Sequence, residues 1–426
     1  MKVYLSYGKR KLEIKLPDNY SIEVIEPKFE PGLPDPIHKV RAALQAPIGT
    51  KPLKELVKGT DRVGIVFSDI TRATPYDILL PALFAELSHV PPSQITLYNA
   101  TGTHRLNTEE EIKKILGPGI VGKYRIVQNE CEDPESHRYI GTTKRGNKIY
   151  ILSDFLDCDI KILTGFIEPH FFAGFSGGGK AIMPGLALLQ TVQANHSAAH
   201  MDHPKATWGI TKGNPLWEEV TEAAGFAHPS FLLNIALNKN KEITAVFAGD
   251  YLEAHRLGCA YVKEHAMAPV RAPFDVVITS NSGYPLDLNM YQAVKGMSAA
   301  AQIVKQGGHI VIAAECWDGI PDHGKYGALL RSAKSPQELL EKIRNPSFVM
   351  HDMWQAHIHA LICLKATVHF YSHNLTDEQI AQGFMLPCRD IESRLAEILH
   401  PLGKEATICV IPEGPQTIPY IAGEGK

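Results

Sequence analysis

Short apolar runs rich in Val, Ile and Leu alternate along the chain with segments of helical period. The clearest runs lie at 62–67 (RVGIVF), 94–99 (QITLYN), 160–166 (IKILTGF), 275–280 (DVVITS), 309–314 (HIVIAA) and 407–411 (TICVI). Their apolar residues are continuous, which fits strands covered on both faces, as in a parallel sheet. Between them 75–87, 251–266, 291–305 and 391–399 read as helices. Three capping boxes mark further helix starts: Thr108 with Glu111, Ser335 with Glu338, and Thr376 with Gln379. The opening MKVYLSYGKRKLEIKL alternates polar and apolar residues and predicts a strand or hairpin.

This alternation predicts an α/β fold of two lobes, each with a largely parallel sheet flanked by helices. Pro269 and Pro273 precede a fresh strand, so the boundary is expected there. The expected domains are 1–268 and 269–404. The tail 405–426 adds one strand and a Pro/Gly-rich end, and is expected to pack back on the first lobe. A length of 426 residues suffices for two such domains. The net charge of −3 argues against a nucleic-acid or anionic-membrane partner. None of the seven cysteines forms a C-x-x-C pair, so they read as reduced thiols. With no signal-peptide core at the start and no run of about 18 apolar residues, a cytoplasmic location is expected.

Candidate chemistry sits where strands end. After the first apolar run come Ser68-Asp69-Ile70-Thr71-Arg72-Ala73-Thr74-Pro75. Polar residues at the C-terminal edge of a parallel sheet lie where α/β proteins bind ligands. A helix start with Arg72 beside it attracts an anion, although Asp69 and Thr71 equally suit simple capping. The second run ends in Thr101-Gly102-Thr103-His104, which brings a histidine to the same edge. The third leads into Glu168-Pro169-His170-Phe171-Phe172-Ala173-Gly174-Phe175-Ser176-Gly177-Gly178-Gly179-Lys180. Its four glycines and serine expose backbone N–H groups suited to a phosphate. Gly174-x4-Gly179-Lys180 matches most of a phosphate-loop pattern, but Ala181 stands where Ser or Thr would hold Mg²⁺. Pro184 disfavours a long helix there.

Downstream, His196 and His200 are spaced to share a helical face, a spacing that suits a metal. The same spacing also fits one ligand beside surface histidines, His203 among them. In the second lobe, Tyr291 and Lys295 form an i, i+4 pair, suited to a carboxylate substrate or to an ordinary amphipathic helix. Trp354 alone reads more readily as core.

Taken in order, S-D-I-T-R, T-G-T-H, P-H-F-F-A-G-F-S-G-G-G-K, N-H, Y-Q-A-V-K and W-Q resemble the lactate racemase family of nickel-pincer enzymes. The resemblance spans nearly the whole chain. It implies a racemase or epimerase of 2-hydroxy acids, active in the cleft between the lobes. It also implies a cofactor: nickel pyridinium-3,5-bisthiocarboxylic acid mononucleotide. Lys180 resembles its covalent attachment point, and His196 the protein ligand to nickel. His104 and His170 resemble paired acid–base residues. Asp69, Thr71, Arg72, Ser176, Gly177 and Gly178 resemble cofactor or orientation residues. Tyr291, Gln292, Lys295 and Trp354 resemble substrate-side residues, with Arg72 or Lys295 holding the carboxylate. The implied partners are a small 2-hydroxy acid and the enzymes that make the cofactor, with oligomerisation open.

The chemistry agrees with that resemblance. Hydride transfer through a planar 2-oxo acid avoids deprotonating carbon beside an ionised carboxylate, and two imidazoles titrate near working pH. A phosphate-loop nucleotide enzyme, a zinc hydrolase using His196, His200 and Asp202 or His203, and a phosphate-ligand sensor stand as alternatives.

Overall fold

The computed structural model describes residues 1–26, 28–321 and 324–422. Two compact units divide the chain: Phe29–Glu264, and His265–Lys426 together with Met1–Lys28.

In the Phe29–Glu264 unit a six-stranded sheet runs, in spatial order, Ile243–Gly249, Phe231–Leu237, Ile160–Phe166, Val63–Ser68, Ile95–Ala100, Arg125–Gln128. All neighbours are parallel except Ile243–Gly249, which returns antiparallel. The predicted runs thus become neighbouring central strands, buried on both faces because helices cover them. Val63, Ile65 and Phe67 pack with Leu79, Leu80 and Leu83 of the helix Tyr76–Glu86 and with Val40 and Leu44 of Pro36–Gln45. Each such side chain contributes roughly 1.5–3 kcal/mol by leaving water. From Val63–Ser68 the chain steps outward to Ile95–Ala100 and Arg125–Gln128, then returns to the opposite side as Ile160–Phe166 and Phe231–Leu237. The reversal opens a crevice at the carboxyl ends of Val63–Ser68 and Ile160–Phe166.

The second unit is built on a fully parallel sheet of order Leu386–Cys388, Thr367–Tyr371, Val304–Ala313, Phe274–Ser280, Thr407–Ile411, Ser21–Val24. The opening residues form the expected hairpin, Lys2–Tyr7 with Arg10–Lys15. The domain boundaries differ from those expected. Residues 1–28 belong with the C-terminal unit, because Ser21–Val24 pairs with Thr407–Ile411. The tail stays there too: Ile418–Ile421 pairs with Met267–Val270. A short apolar tail strand is equally suited to either unit, and only long-range pairing decides which.

Two of the three capping boxes close as expected, at Thr108 and Thr376. At the third, Ser335 accepts from Glu338 N–H, but the Glu338 carboxylate turns to Lys334 N–H. The helix expected over 291–305 is Met290–Ala301, since Val304 already pairs with Phe274 in the sheet. Among the described residues no helix is long and apolar enough to cross a membrane.

Buried His359, on the helix Met353–Lys365, accepts from the Tyr326 hydroxyl at 2.6 Å and donates to Gly383 O at 2.6 Å. Burial lowers its pKa from 6.5 to about 4. Below pH 6.5 the unfolded chain takes a proton that the folded ring refuses, so stability falls as pH drops from 6.5 toward 4. The penalty is on the order of 3 kcal/mol at the acid end of that window. Urea unfolding at neutral pH and near pH 4.5 should show a smaller acid loss in His359→Gln than in the parent chain. Equal losses would take the effect away from this ring.

Candidate active site

Three adjacent strands of the Phe29–Glu264 unit deliver the candidate residues to one edge. Val63–Ser68 ends in the turn holding Asp69, Thr71 and Arg72; Ile95–Ala100 leads to His104; Ile160–Phe166 leads to Glu168, His170 and the glycine loop. Asp69 is buried at 3% exposure. One carboxylate oxygen lies 2.6 Å from His104 Nδ1, and the other accepts the Thr71 hydroxyl at 2.7 Å. Burial pushes the Asp69 pKa up, but His104, Arg72 and Thr71 together outweigh it and hold the carboxyl below its usual value. Thr71 thus acts on Asp69 and caps no helix. Arg72 reaches across the crevice to Glu168, with Nη1 3.5 Å from Oε1.

The His104 turn is braced from behind. Asn107 Oδ1 accepts from Asn99 Nδ2 at 2.8 Å, and Gln128 Oε1 accepts from both Asn99 Nδ2 and Asn107 N–H. Gly102 N–H donates to Gly185 O at 3.0 Å, tying this turn to the segment that carries Lys180.

The glycine loop is seated by packing. Gly178 has φ +56°, and a side chain there would lie 2.6 Å from the His255 ring. At Gly177 a side chain would meet Asn234 Oδ1 at 2.5 Å, and at Gly179 it would meet Ala224 at 2.9 Å. Asn234 Oδ1 accepts the Gly178 N–H at 2.8 Å, so that donor is turned to the protein. Close approach to Asn234 and His255 is thus one demand that glycine meets at 177 and 178, and the Gly178 N–H is directed to Asn234. Ser176 likewise spends its hydroxyl on the backbone, donating to Phe166 O and accepting from Glu168 N–H, both at 2.9 Å. Gly178–Ala181 is a short 3₁₀ turn, in keeping with Pro184 nearby and unlike the helix of a phosphate loop.

That seating places Lys180 in a half-buried, poorly solvated position. Burial, with the positive charge of Arg72 adding to it, lowers the ammonium pKa to about 7. Its Nζ lies 5.9 Å from the centre of the Phe172 ring. His196, buried at the end of the helix Leu189–Asn195, packs edge-on against the same ring at 5.0 Å. Burial and the neighbouring Lys180 lower its pKa to about 3, so the imidazole is neutral. Its Nδ1–H donates to Val192 O at 3.1 Å, which puts the lone pair on Nε2. His170 completes the group, edge-on to Phe172 at 4.5 Å. Phe172 therefore joins His170, Lys180 and His196, a role its place in an apolar pair concealed.

His196 and His200 do not share a helix. The first helix ends at His196, and Ser197 opens a separate short one, Ala198–Met201. His200 Nδ1–H is drawn to Asn195 O at 2.8 Å. Among the described residues no three His, Cys, Asp or Glu side chains group around a metal position, so the three-ligand arrangement of the zinc-hydrolase alternative is not formed. The remaining candidates lie in the other unit. Tyr291, Gln292 and Lys295 are on Met290–Ala301, where Tyr291 meets Tyr326 edge-on at 5.3 Å. Trp354, 5% exposed, is on Met353–Lys365 beside His351.

A desolvated amine, a neutral buried imidazole and a carboxylate-backed histidine at the switch point of a parallel sheet define an α/β enzyme site. Residues 7–209 match the family model of the lactate racemase N-terminal domain, and residues 270–418 that of the lactate racemase C-terminal domain. The chain is 36% identical over 422 residues to the lactate racemase of Thermoanaerobacterium thermosaccharolyticum, covering 98% of both chains. It is also 36% identical over 416 residues to that of Lactiplantibacillus plantarum, covering 96% of this chain and 97% of the relative. The solved structure of the T. thermosaccharolyticum lactate racemase apoprotein superposes with a TM-score of 0.92 over 98% of this chain and 100% of that one. The chain belongs to the lactate racemase family and is an isomerase.

A lowered amine pKa makes Lys180 a reactive nucleophile near neutrality, when surface lysines are protonated. Brief treatment with cyanate at pH 7, followed by peptide mass spectrometry, should carbamoylate Lys180 ahead of exposed lysines. A Lys180 modified no faster than Lys58 or Lys239 would refute the desolvated amine.

Proposed function

We propose that the protein racemises a small 2-hydroxy acid, with lactate as the first substrate to test. The observation that carries the reading is the gathering of Lys180, His196, His170 and the Asp69–His104 pair at one sheet edge. The names of the relatives support lactate in particular.

The side chains fit the nickel-pincer nucleotide that the family resemblance implies. An amine at about 7 is available for amide-type attachment, so Lys180 would hold the group covalently. A neutral imidazole with its lone pair on Nε2 is a ready nickel ligand, so His196 would bind the metal. Arg72 supplies a cation for the nucleotide's phosphate or the substrate's carboxylate. When bound, the group supplies a reversible hydride acceptor for the substrate C2 hydrogen. The protein's own work is then to bind, orient and manage protons. His104 and His170 take the acid–base positions at the substrate oxygen, and Asp69 holds the His104 ring and balances its charge. Tyr291, Gln292, Lys295 and Trp354 keep their substrate-side assignment. A planar 2-oxo acid that turns its other face before the hydrogen returns gives the mirror image.

The test is chiral chromatography of L-lactate incubated with chain co-produced with cofactor-making enzymes. Interconversion to the D form is expected, together with a cofactor mass adduct on the intact chain. Lys180→Ala should lose the adduct and the activity together. Loaded protein that interconverts no 2-hydroxy acid, or an adduct that survives in Lys180→Ala, would end this reading.

A further inference from the structure

Resting on the reading just given, we infer that the substrate is a monocarboxylate, and that Glu168 excludes dicarboxylates by holding the charge of Arg72. Both backbones are fixed where the two side chains meet. Glu168 N–H donates to Ser176 Oγ, and Glu168 O accepts the Ser176 N–H, each at 2.9 Å. Ser176 Oγ is itself tied to Phe166 O at 2.9 Å. Arg72 stands in a turn closed by its own N–H to Asp69 O at 3.1 Å. The carboxylate and the guanidinium therefore face each other across the crevice from rigid strand ends.

Their contact balances charge without locking either partner. At 3.5 Å it is longer than a charge-assisted hydrogen bond of about 2.7–2.9 Å, and the side chains are 29% and 42% exposed. The other charges acting near Arg72 are Asp69 and Lys180. Asp69 is engaged with His104 and Thr71. Lys180 gives up its positive charge once its nitrogen becomes an amide. Arg105, the next cation beside Asp69, is taken by Glu111 at 2.7 Å. On this unit the guanidinium of Arg72 is thus set against two carboxylates.

A substrate with one carboxylate needs one cation. Arg72 serves by exchanging Glu168 for the substrate, or Lys295 serves and leaves the Arg72–Glu168 pair intact. A second carboxylate fails either way. In the first case released Glu168 and Asp69 both repel it. In the second it meets an Arg72 whose charge Glu168 already balances. Uncharged substituents on C2 escape this penalty. Taking the charge from Glu168 frees Arg72 for a second acid group, so one side chain sets the exclusion.

The test compares lactate with malate, which differs by one added carboxylate on the C2 substituent. Loaded parent chain should racemise lactate far better than malate. Glu168→Gln, which keeps the size of the side chain, should raise the malate-to-lactate ratio of kcat/KM about five- to tenfold, the scale of repulsion between partly exposed charges. Glu168→Asp, which keeps the charge, should preserve the exclusion; a merely structural Glu168 would make the two variants alike. An unchanged ratio in Glu168→Gln, an equal rise in Glu168→Asp, or malate turned over by the parent as readily as lactate overturns the inference. Binding gives a second readout. In full chain labelled with nitrogen-15 at histidine and without added cofactor, the His104 signal, assigned with His104→Gln, is followed while L-lactate or L-malate is added. At pH 8.5 Lys180, with its pKa of about 7, is neutral and offers no second cation. Malate should bind the parent more weakly than lactate, and Glu168→Gln should close the gap. Equal binding by the parent refutes the exclusion. Loaded parent that turns over neither acid, with this binding pattern intact, sinks the racemase reading and leaves the role of Glu168 standing.

Discussion

The hydrogen bond from Gly178 N–H to Asn234 Oδ1 is the contact on which the site depends. It anchors the lysine loop to a central strand, Phe231–Leu237, and fills the space where any side chain would stand. A buried amide at such a point is stabilising only because it is partnered; left alone it would cost about 1–3 kcal/mol. From this anchor follow the tight 3₁₀ turn, the poor solvation of Lys180 and the packing of Phe172 under both Lys180 and His196. The glycines are the condition for the anchor, and the reactive amine is its result.

Electrostatics in the cluster follow from which charges are allowed to stay. Asp69 remains ionised despite burial because His104, Arg72 and Thr71 oppose the desolvation. Lys180 has Arg72 as a like-charged neighbour, so burial and repulsion act in the same direction. His196, next to Lys180, is driven to the neutral form by the same two effects. One guanidinium thus favours the anion on one side of the crevice and disfavours the cation on the other. A single positive charge thus biases the ionisation of the groups on both sides of it.

Much of this was legible before the fold was known, and the rest was hidden for physical reasons. Apolar continuity located five strands to within a residue and the second half of Val304–Ala313, because a strand covered on both faces has little room for polar side chains, but it passed over Phe231–Leu237 and Thr367–Tyr371. The strand-end rule then placed Asp69, Arg72, His104 and Lys180 on one edge. What periodicity could not show was pairing between distant segments: nothing local says that Ser21–Val24 and Thr407–Ile411 share a sheet. Glycine density was visible, but whether the missing side chains make room for a ligand or for protein depends on Asn234 and His255, more than fifty residues away. The i, i+4 spacing of His196 and His200 promised one helical face, and the break at Ser197 removed it. The Asn99–Asn107–Gln128 network carried no motif, and Glu168 and Phe172, although they stand in the glycine-loop segment, carried no sign of their contacts with Arg72 and His196.

The pairing of Ser21–Val24 with Thr407–Ile411 bears on how the molecule comes into being. A ribosome releases Ser21–Val24 hundreds of residues before Thr407–Ile411, its sheet neighbour, exists. The Phe29–Glu264 unit, whose strands all lie within its own span, has everything it needs to close while synthesis continues. The sheet of the other unit closes only when Thr407–Ile411 can meet Ser21–Val24. Such long-range closure is slow compared with local pairing. The lysine loop is therefore built early, and the unit bearing Tyr291 and Lys295 is completed late.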